Sequence, residues 1–521
     1  MKIIFERMID THFDGTEISY FAAAFLSLIA SLFFFSKGKT GMALRTLIIS
    51  GFILRMLMTW IDPFLHTWDE QFHALVANNM MSDPFHPMLV KDEILPLDKT
   101  YWVYCHFWVH KPPLFLWQMA LSMKIFGVNP FAVRFPSAIL STLMIPAVFR
   151  MGKSIRNECV GYFAALILAF SNIHVNVVSG FINTDHNDVV FAAYILFSLW
   201  AFTEYIFSSR RKYVLLTGIF VAAAVLTKWL TGFLVIGIWG IVLLANKKWR
   251  TDKRKWIDLF LTSLISLLLS MPWFIYVSRT FPAEWSAALA SYSRHMHDSI
   301  AHEGTWLFHF DLVRDNFGWI FIAAFIAGCF LFFSKQISSP IKIAFASSIL
   351  IVFGFYTFVA TKMPLFCFVV YPLMIIIAAF AFVELFEHVR DVLKKFYKPA
   401  VSILLFILAF QFLNIGRLEA FHTDRDTKDS YRKTMIANQE SILNYDRAYY
   451  FVGNAVVFNC GTWNAVPFMF YNDVTAFDDP PSEEQLNAVI KAGKIPVIYD
   501  SDNLPQWIRD KYSSYITRFR W

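Results

Sequence analysis

The chain has 521 residues, 57% of them hydrophobic and 16% charged, with 57 phenylalanines and a formal net charge of +7. Soluble proteins average about 45–50% apolar and about 25% charged, so a soluble multidomain protein is excluded, and repeated apolar runs near span length read as a polytopic membrane protein. The positive charge does not point to nucleic acid, because the basic residues fall in short loops between apolar runs, as positive-inside loops do.

The N-terminal stretch carries Glu6, Asp10, Asp14 and Glu17 before any apolar core. It lacks the basic n-region and short h-region of a cleaved signal, so the first span is expected to stay. Spans are predicted at 18–36 and 43–61, joined by a loop holding Lys37, Lys39 and Arg45. If that loop is cytoplasmic, the long segment 62–112 lies outside. The next basic loop, RMGKSIRNE at 150–158, returns to the cytoplasm only if 131–149 crosses and 113–127 does not. The segment 113–127 is therefore read as an interfacial helix on the outer side.

Further spans are expected at 160–178, 188–207, 214–227, 231–245, 257–277, 316–333, 341–360, 365–383 and 400–416. The expected fold is an α-helical polytopic membrane protein with about twelve spans, residues 1–416, whose external loops are 62–130, 179–187 and 278–315. Residues 417–521 change character. Strand-like RAYYFVG (447–453) and KIPVIYD (494–500) flank a helix-like SEEQLNAVIKAG (482–493), a β-α-β pattern that predicts a small external α/β domain. Cys105, Cys159, Cys329, Cys367 and Cys460 are scattered and form neither a disulfide framework nor a cysteine-based zinc site.

With this orientation the acidic and histidine-rich loops collect on one side of the membrane. They are HTWDEQFH (66–73), HKPPL (110–114), NTDHND (183–188), RHMHDSIAHE (294–303) and TKMP (361–364). Ionisable groups near a bilayer are costly unless paired, wetted or used. A lysine there can hold a lipid-linked phosphate, and a carboxylate nearby can take a proton from an attacking hydroxyl. That combination suits group transfer from a polyprenyl-phosphate donor. No phosphate-cradling GxxxxGK[ST] or GxGxxG motif competes. The alternative, a secondary transporter or flippase of lipid-linked substrates, would keep its ionisable groups near the midplane in repeated halves, and no two-fold hydropathy repeat is visible.

DE after the first external crossing, then KPPL, then FGVNPFAVRFPSAI (126–139) is similar to the GT-C glycosyltransferases of the protein O-mannosyltransferase and lipid A aminoarabinose transferase type. TDHNDVVFAAYILF, LTKWLTGF (226–233), MPWFIYV (271–277) and TKMPLFCFVVYP (361–372) follow in the family's order. The resemblance covers most of residues 60–380. It implies an enzyme, a glycosyltransferase that uses an isoprenoid-phosphate sugar donor and inverts at the anomeric carbon. The acceptor would be an envelope lipid, glycan or protein. The setting would be a bacterial inner membrane, with site and C-terminal domain outside the cytoplasm.

By position, Asp69 resembles the family's first-loop acid, a base or acceptor activator, with Glu70 its neighbour. Lys111 resembles the lysine at the donor phosphate, Asp185 the second-loop acid, and Lys362 a late lysine that also contacts phosphate. His110 stands where the family has Glu before KPPL, His73 replaces a tyrosine, and Phe366 replaces an aromatic hydroxyl. In some relatives that Glu joins a metal site with a mid-chain histidine. His295, His297, His302 and Glu303, with His110, could form a zinc-like set, His295 and His302 sharing a helix face. Equally, the chemistry requires no metal, and His110 then tunes phosphate binding.

Overall fold

A computed structural model of the chain describes residues 12–182, 185–299, 302–423, 430–443, 454–461, 464–502 and 504–517. Ten of its helices are long and apolar enough to cross a membrane. The difference from twelve has two local causes. Residues 214–227 and 231–245 belong to one apolar stretch, Arg211–Ala245, bent where Trp229 takes φ 55° and a 3-10 turn, Trp229–Phe233, intervenes. The expected span at 160–178 breaks at Ser171, leaving Glu158–Phe170 only 13 residues long. That is about 20 Å at 1.5 Å per residue, short of a roughly 30 Å hydrocarbon core.

The segment read as interfacial forms the helix Leu114–Phe126, also 13 residues. Pro112 and Pro113 precede it, and Gly127, at φ 81°, ends it where a side chain would be strained. Caps fix other boundaries. Asp14 and Glu17 form a reciprocal capping box on Gly15–Ser36, and the Asn129 side chain accepts from the Ala132 amide at 2.9 Å to start Pro130–Ile155.

By internal contacts the residues fall into two units. The first comprises residues up to Ile61, Ser137–Tyr276 and Ser291–Phe421; the second comprises Asp62–Pro136, Val277–Ala290 and His422 onward. This division is not the linear one at 416/417 read from composition, since the second unit gathers residues 62–136 with the C-terminal residues. Within the first unit small residues bring helices close. A Cβ at Gly152 would lie 2.8 Å from the Gly161 Cα, the close backbone approach that small residues permit in membrane helices. Within the second, β1 (Ala455–Phe458), β2 (Thr475–Ala476), β3 (Ile495–Tyr499) and β4 (Ile516–Thr517) form a parallel sheet in the order β2-β1-β3-β4. The expected helix at 482–493 is Glu483–Lys491, capped by Ser482 and Gln485. The expected strand at 447–453 lies outside the described residues.

Candidate active site

Asp69 and Glu70 open the helix Asp69–Asn79, where the helix dipole favours acids. The residue before them, Trp68, holds φ 77°, an unusual conformation for a bulky side chain. It is wedged edge-on against Phe72 and Trp102, both at 5.5 Å between ring centroids. Strain of this kind persists where the surroundings over-determine it, as they do at functional sites.

The two acids have different surroundings. Glu70 is 2% exposed and receives a two-pronged grip from Arg134, Nε donating to Oε1 at 2.7 Å and Nη2 to Oε2 at 2.9 Å. The His66 amide donates to the same Oε2 at 2.6 Å. Arg134 also donates to the carbonyls of Asp62 and Phe64, each at 2.6 Å. The planar guanidinium thus ties the backbone of residues 62–64 to the glutamate. Glu70 is a positioning residue in this arrangement, and Asp69 is buried beside it.

Behind Glu70 lies a charged knot that sequence reasoning missed. Asp62 Oδ2 accepts from His66 Nε2 at 3.0 Å and from His422 Nδ1 at 2.6 Å, while Arg432 Nη1 donates to Oδ1. Burial would raise the Asp62 carboxyl, but the His422 and His66 imidazoles outweigh it and hold the group well below the ordinary carboxylate range. Burial pushes the His66 imidazole below its ordinary 6.5, against the pull of Asp62. One signal was available: Arg134 stands alone in FAVRFPSAI, and a cation in an apolar run requires a partner.

The lysine motif joins the same aromatic wall. His110 stacks on Trp102 at 4.7 Å and 9°, and meets Trp108 edge-on at 5.5 Å. Trp102 in turn meets Phe72, three residues after Asp69, at 5.0 Å. Lys111 therefore extends from a backbone anchored to the elements that carry Asp69. His73, in place of the family tyrosine, is fully buried between Trp108 and Phe115.

The remaining expected residues lie in the first unit. Asp185 opens the helix Asp185–Ser208, and its side chain lies outside the described set. Asp188, one turn on, pairs with Lys228, whose ammonium sits 5.2 Å from the Phe366 ring and 5.8 Å from that of Phe191. The phenylalanine at the family's hydroxyl position thus walls a cation.

Lys362, expected at the phosphate, caps the helix Ser339–Phe358 in this structure. Its Nζ donates to the carbonyls of Tyr356, Thr357 and Val359 at 3.1, 2.7 and 2.6 Å, satisfying orphan acceptors at the negative end of the helix. Burial lowers its pKa. The expected helix face shared by His295 and His302 does not form. The helix Pro282–His297 ends before Asp298 and Ser299, which compete for backbone hydrogen bonds. His295 Nδ1 lies 3.3 Å from the Thr361 hydroxyl, the Lys362 amide donates to the His302 carbonyl at 2.9 Å, and His297 and Glu303 are exposed. Among the described residues no three His, Cys, Asp or Glu side chains gather as a ligand set.

Residues 110–276 match the family described as dolichyl-phosphate-mannose-protein mannosyltransferase. A Pseudomonas fluorescens undecaprenyl phosphate-alpha-4-amino-4-deoxy-L-arabinose arabinosyl transferase 2 is 26% identical over 223 residues, 41% of this chain and 40% of the relative. Its counterpart from Pseudomonas savastanoi pv. phaseolicola is 24% identical over 277 residues, 51% and 48%. These matches span less than half the length of the relatives. The crystal structure of ArnT from Cupriavidus metallidurans bound to undecaprenyl phosphate superposes with a TM-score of 0.60 at 14% identity, covering 86% of this chain and 87% of that one. The archaeal oligosaccharyltransferase AglB from Archaeoglobus fulgidus, in complex with an inhibitory peptide and a dolichol-phosphate, gives 0.54 at 12% identity, covering 84% and 64%. The fold is of the GT-C type, and residues 110–276 carry the similarity to the mannosyltransferase family. In that GT-C frame, DE, KPPL and the arginine of R.PSA lie in one unit and are joined there by Arg134 and the Trp102 wall.

Proposed function

We propose that this protein is an integral-membrane glycosyltransferase that moves a sugar from a polyprenyl-phosphate donor to an acceptor outside the cytoplasm. The observation that carries the reading is the convergence of the DE and KPPL motifs and Arg134 within one unit. Arg134 and the His66 amide grip Glu70, while Asp69 stands at the strained start of the same helix, on the aromatic wall that also anchors Lys111. The names of the relatives and neighbours, which carry undecaprenyl phosphate and dolichol-phosphate, support the donor class.

In this reading the acceptor hydroxyl gives its proton to Asp69 as its oxygen attacks the anomeric carbon of the donor. The bond from that carbon to the phosphate oxygen breaks as the new glycosidic bond forms, which inverts the configuration. The electron pair leaves with the polyprenyl phosphate, whose charge Lys111 stabilises. Lys111 supplies the charge that the leaving group needs, so the step runs without a metal ion.

Asp69→Asn is expected to cost about 10²–10⁴-fold in transfer, the scale of general-base catalysis, with thermal unfolding and polyprenyl-phosphate binding unchanged. Lys111→Ala is expected to weaken polyprenyl-phosphate binding about tenfold or more, for loss of a charged hydrogen bond, and Lys124→Ala to leave it intact. Wild-type transfer rates in Asp69→Asn would remove that residue from the chemistry.

A further inference from the structure

At the carboxyl edge of the parallel sheet the second unit contains a cavity of about 250 Å³. In open parallel sheets the loops at this edge are where ligands bind. The end of β1 contributes Phe458, the loop after β2 contributes Phe477, Asp478 and Asp479, and the first external loop contributes Phe72 and Tyr104. Nothing described so far uses this cavity.

We infer that this cavity holds one saccharide ring of the acceptor, a neutral or amino sugar, bound one helical turn from Asp69. The inference rests on the transferase reading for the word acceptor, and on the cavity alone for the sugar.

Size restricts the occupant first. Pockets for drug-sized ligands run from about 300 Å³ upward, so this volume suits one ring and excludes a polyprenyl chain or an extended glycan. Chemistry restricts it further. Aromatic side chains offer flat apolar faces to the C–H side of a sugar, and the half-buried Phe477, stacked at 5.3 Å and 16° on the buried Phe458, lies beside the polar edge. That edge is made of acceptors and a hydroxyl. Asp478 spends one oxygen on the Ala465 amide at 2.8 Å, whereas Asp479 is exposed and adjoins it in the cavity lining. Carboxylates accept charge-assisted hydrogen bonds from ring hydroxyls or an ammonium, and two of them repel a uronate or a phosphorylated sugar. The Tyr104 phenol is raised by burial and by the charges of Asp478 and Asp479, so it stays protonated and donates.

Position supplies the link to transfer. Phe72 lines the cavity and follows Asp69 by three residues on the helix Asp69–Asn79, so the two occupy neighbouring positions on one face. Phe72 also touches Trp102, the ring on which His110 stacks. A ring seated here would present its outward hydroxyl toward the turn that carries the candidate base.

The test uses the full-length protein in nanodiscs and methyl α-mannopyranoside, methyl β-glucopyranoside and methyl glucosaminide as probes, read by saturation-transfer NMR. At least one probe is expected to receive saturation on its C–H face. Tyr104→Phe and Asp479→Asn, which remove only polar contacts, are each expected to lower that saturation about fivefold, and Val466→Trp, which fills the cavity, to abolish it. No saturation from any probe, or signals unchanged in all three variants, overturns the proposal. Lys111→Ala separates this failure from that of the transferase reading. If it leaves polyprenyl-phosphate binding untouched while the probes still bind, the donor assignment fails and the sugar subsite stands. If it lowers polyprenyl-phosphate binding while the probes do not bind, the reverse holds.

Discussion

Glu70–Arg134 and Asp188–Lys228 are both ion pairs on buried carboxylates, built on motif residues, yet they are held in different ways. Arg134 presents a flat fork, meets both oxygens of Glu70 and still reaches two backbone carbonyls. Lys228 presents a point charge, meets one oxygen of Asp188, and relies on the rings of Phe366 and Phe191 for the rest of its surroundings. The first pair fixes backbone geometry; the second holds a charge in place without specifying direction. A guanidinium suits a hinge that must not move, and an ammonium suits a site that tolerates rearrangement.

The largest effect expected from this contrast is at Arg134. Arg134→Ala should destabilise the second unit by about 3–5 kcal/mol, because it strands a buried carboxylate. Arg134→Lys should recover little of that loss, since a point charge cannot replace the fork, whereas Lys228→Arg should cost far less. Chemical denaturation with a tryptophan signal measures all three, and equal tolerance at both sites would erase the distinction.

The pH dependence of the knot behind Glu70 comes next. His66 sits below its ordinary 6.5 in the folded state, so the unfolded chain takes up the proton first. Stability should therefore fall as pH drops through about 6.5. Asp62 sits below its ordinary 3.8, so its contribution is present above that value and fades as pH falls further. Glu70, Arg134, His422, Arg432 and Tyr431 share the surroundings. Asp62→Asn should flatten the acid limb of a melting-temperature profile, and a profile as steep as that of the unsubstituted chain would argue against the assignment.

Smaller effects follow at the helix cap and at the metal question. Lys362→Met should cost about 0.5–1.5 kcal/mol of stability, the scale of ordinary hydrogen bonds, without raising the KM for donor. A donor KM raised severalfold at unchanged stability would return Lys362 to the phosphate. Stripping divalent ions with a chelator should leave transfer unchanged, and loss restored by zinc would reinstate a metal role for the His295–Glu303 loop.

The membrane architecture was legible because hydropathy is local. Apolar runs, basic loops and Pro-Gly punctuation around 112–127 carry their meaning in a window of twenty residues. The twelve expected spans and the ten long apolar helices differ at the bend of Trp229 and the break at Ser171. The candidate site was legible only as a set of motifs. DE, KPPL and R.PSA were visible, but not that the arginine of the last grips the glutamate of the first, 64 positions apart.

Sequence alone determined that the chain lives in a membrane, that its acidic and cationic motifs resemble those of the GT-C transferases in order, and that an α/β segment follows the last apolar run. Tertiary structure decided the roles inside those motifs. It assigned Glu70 to Arg134, turned Lys362 into a cap, drew Asp62 to His422 and Arg432 across more than 350 positions, and opened a cavity between the first loop and the sheet. The physical reason is that burial energy depends on which partner a charge finds, and partners distant in the chain are chosen only when the helices pack.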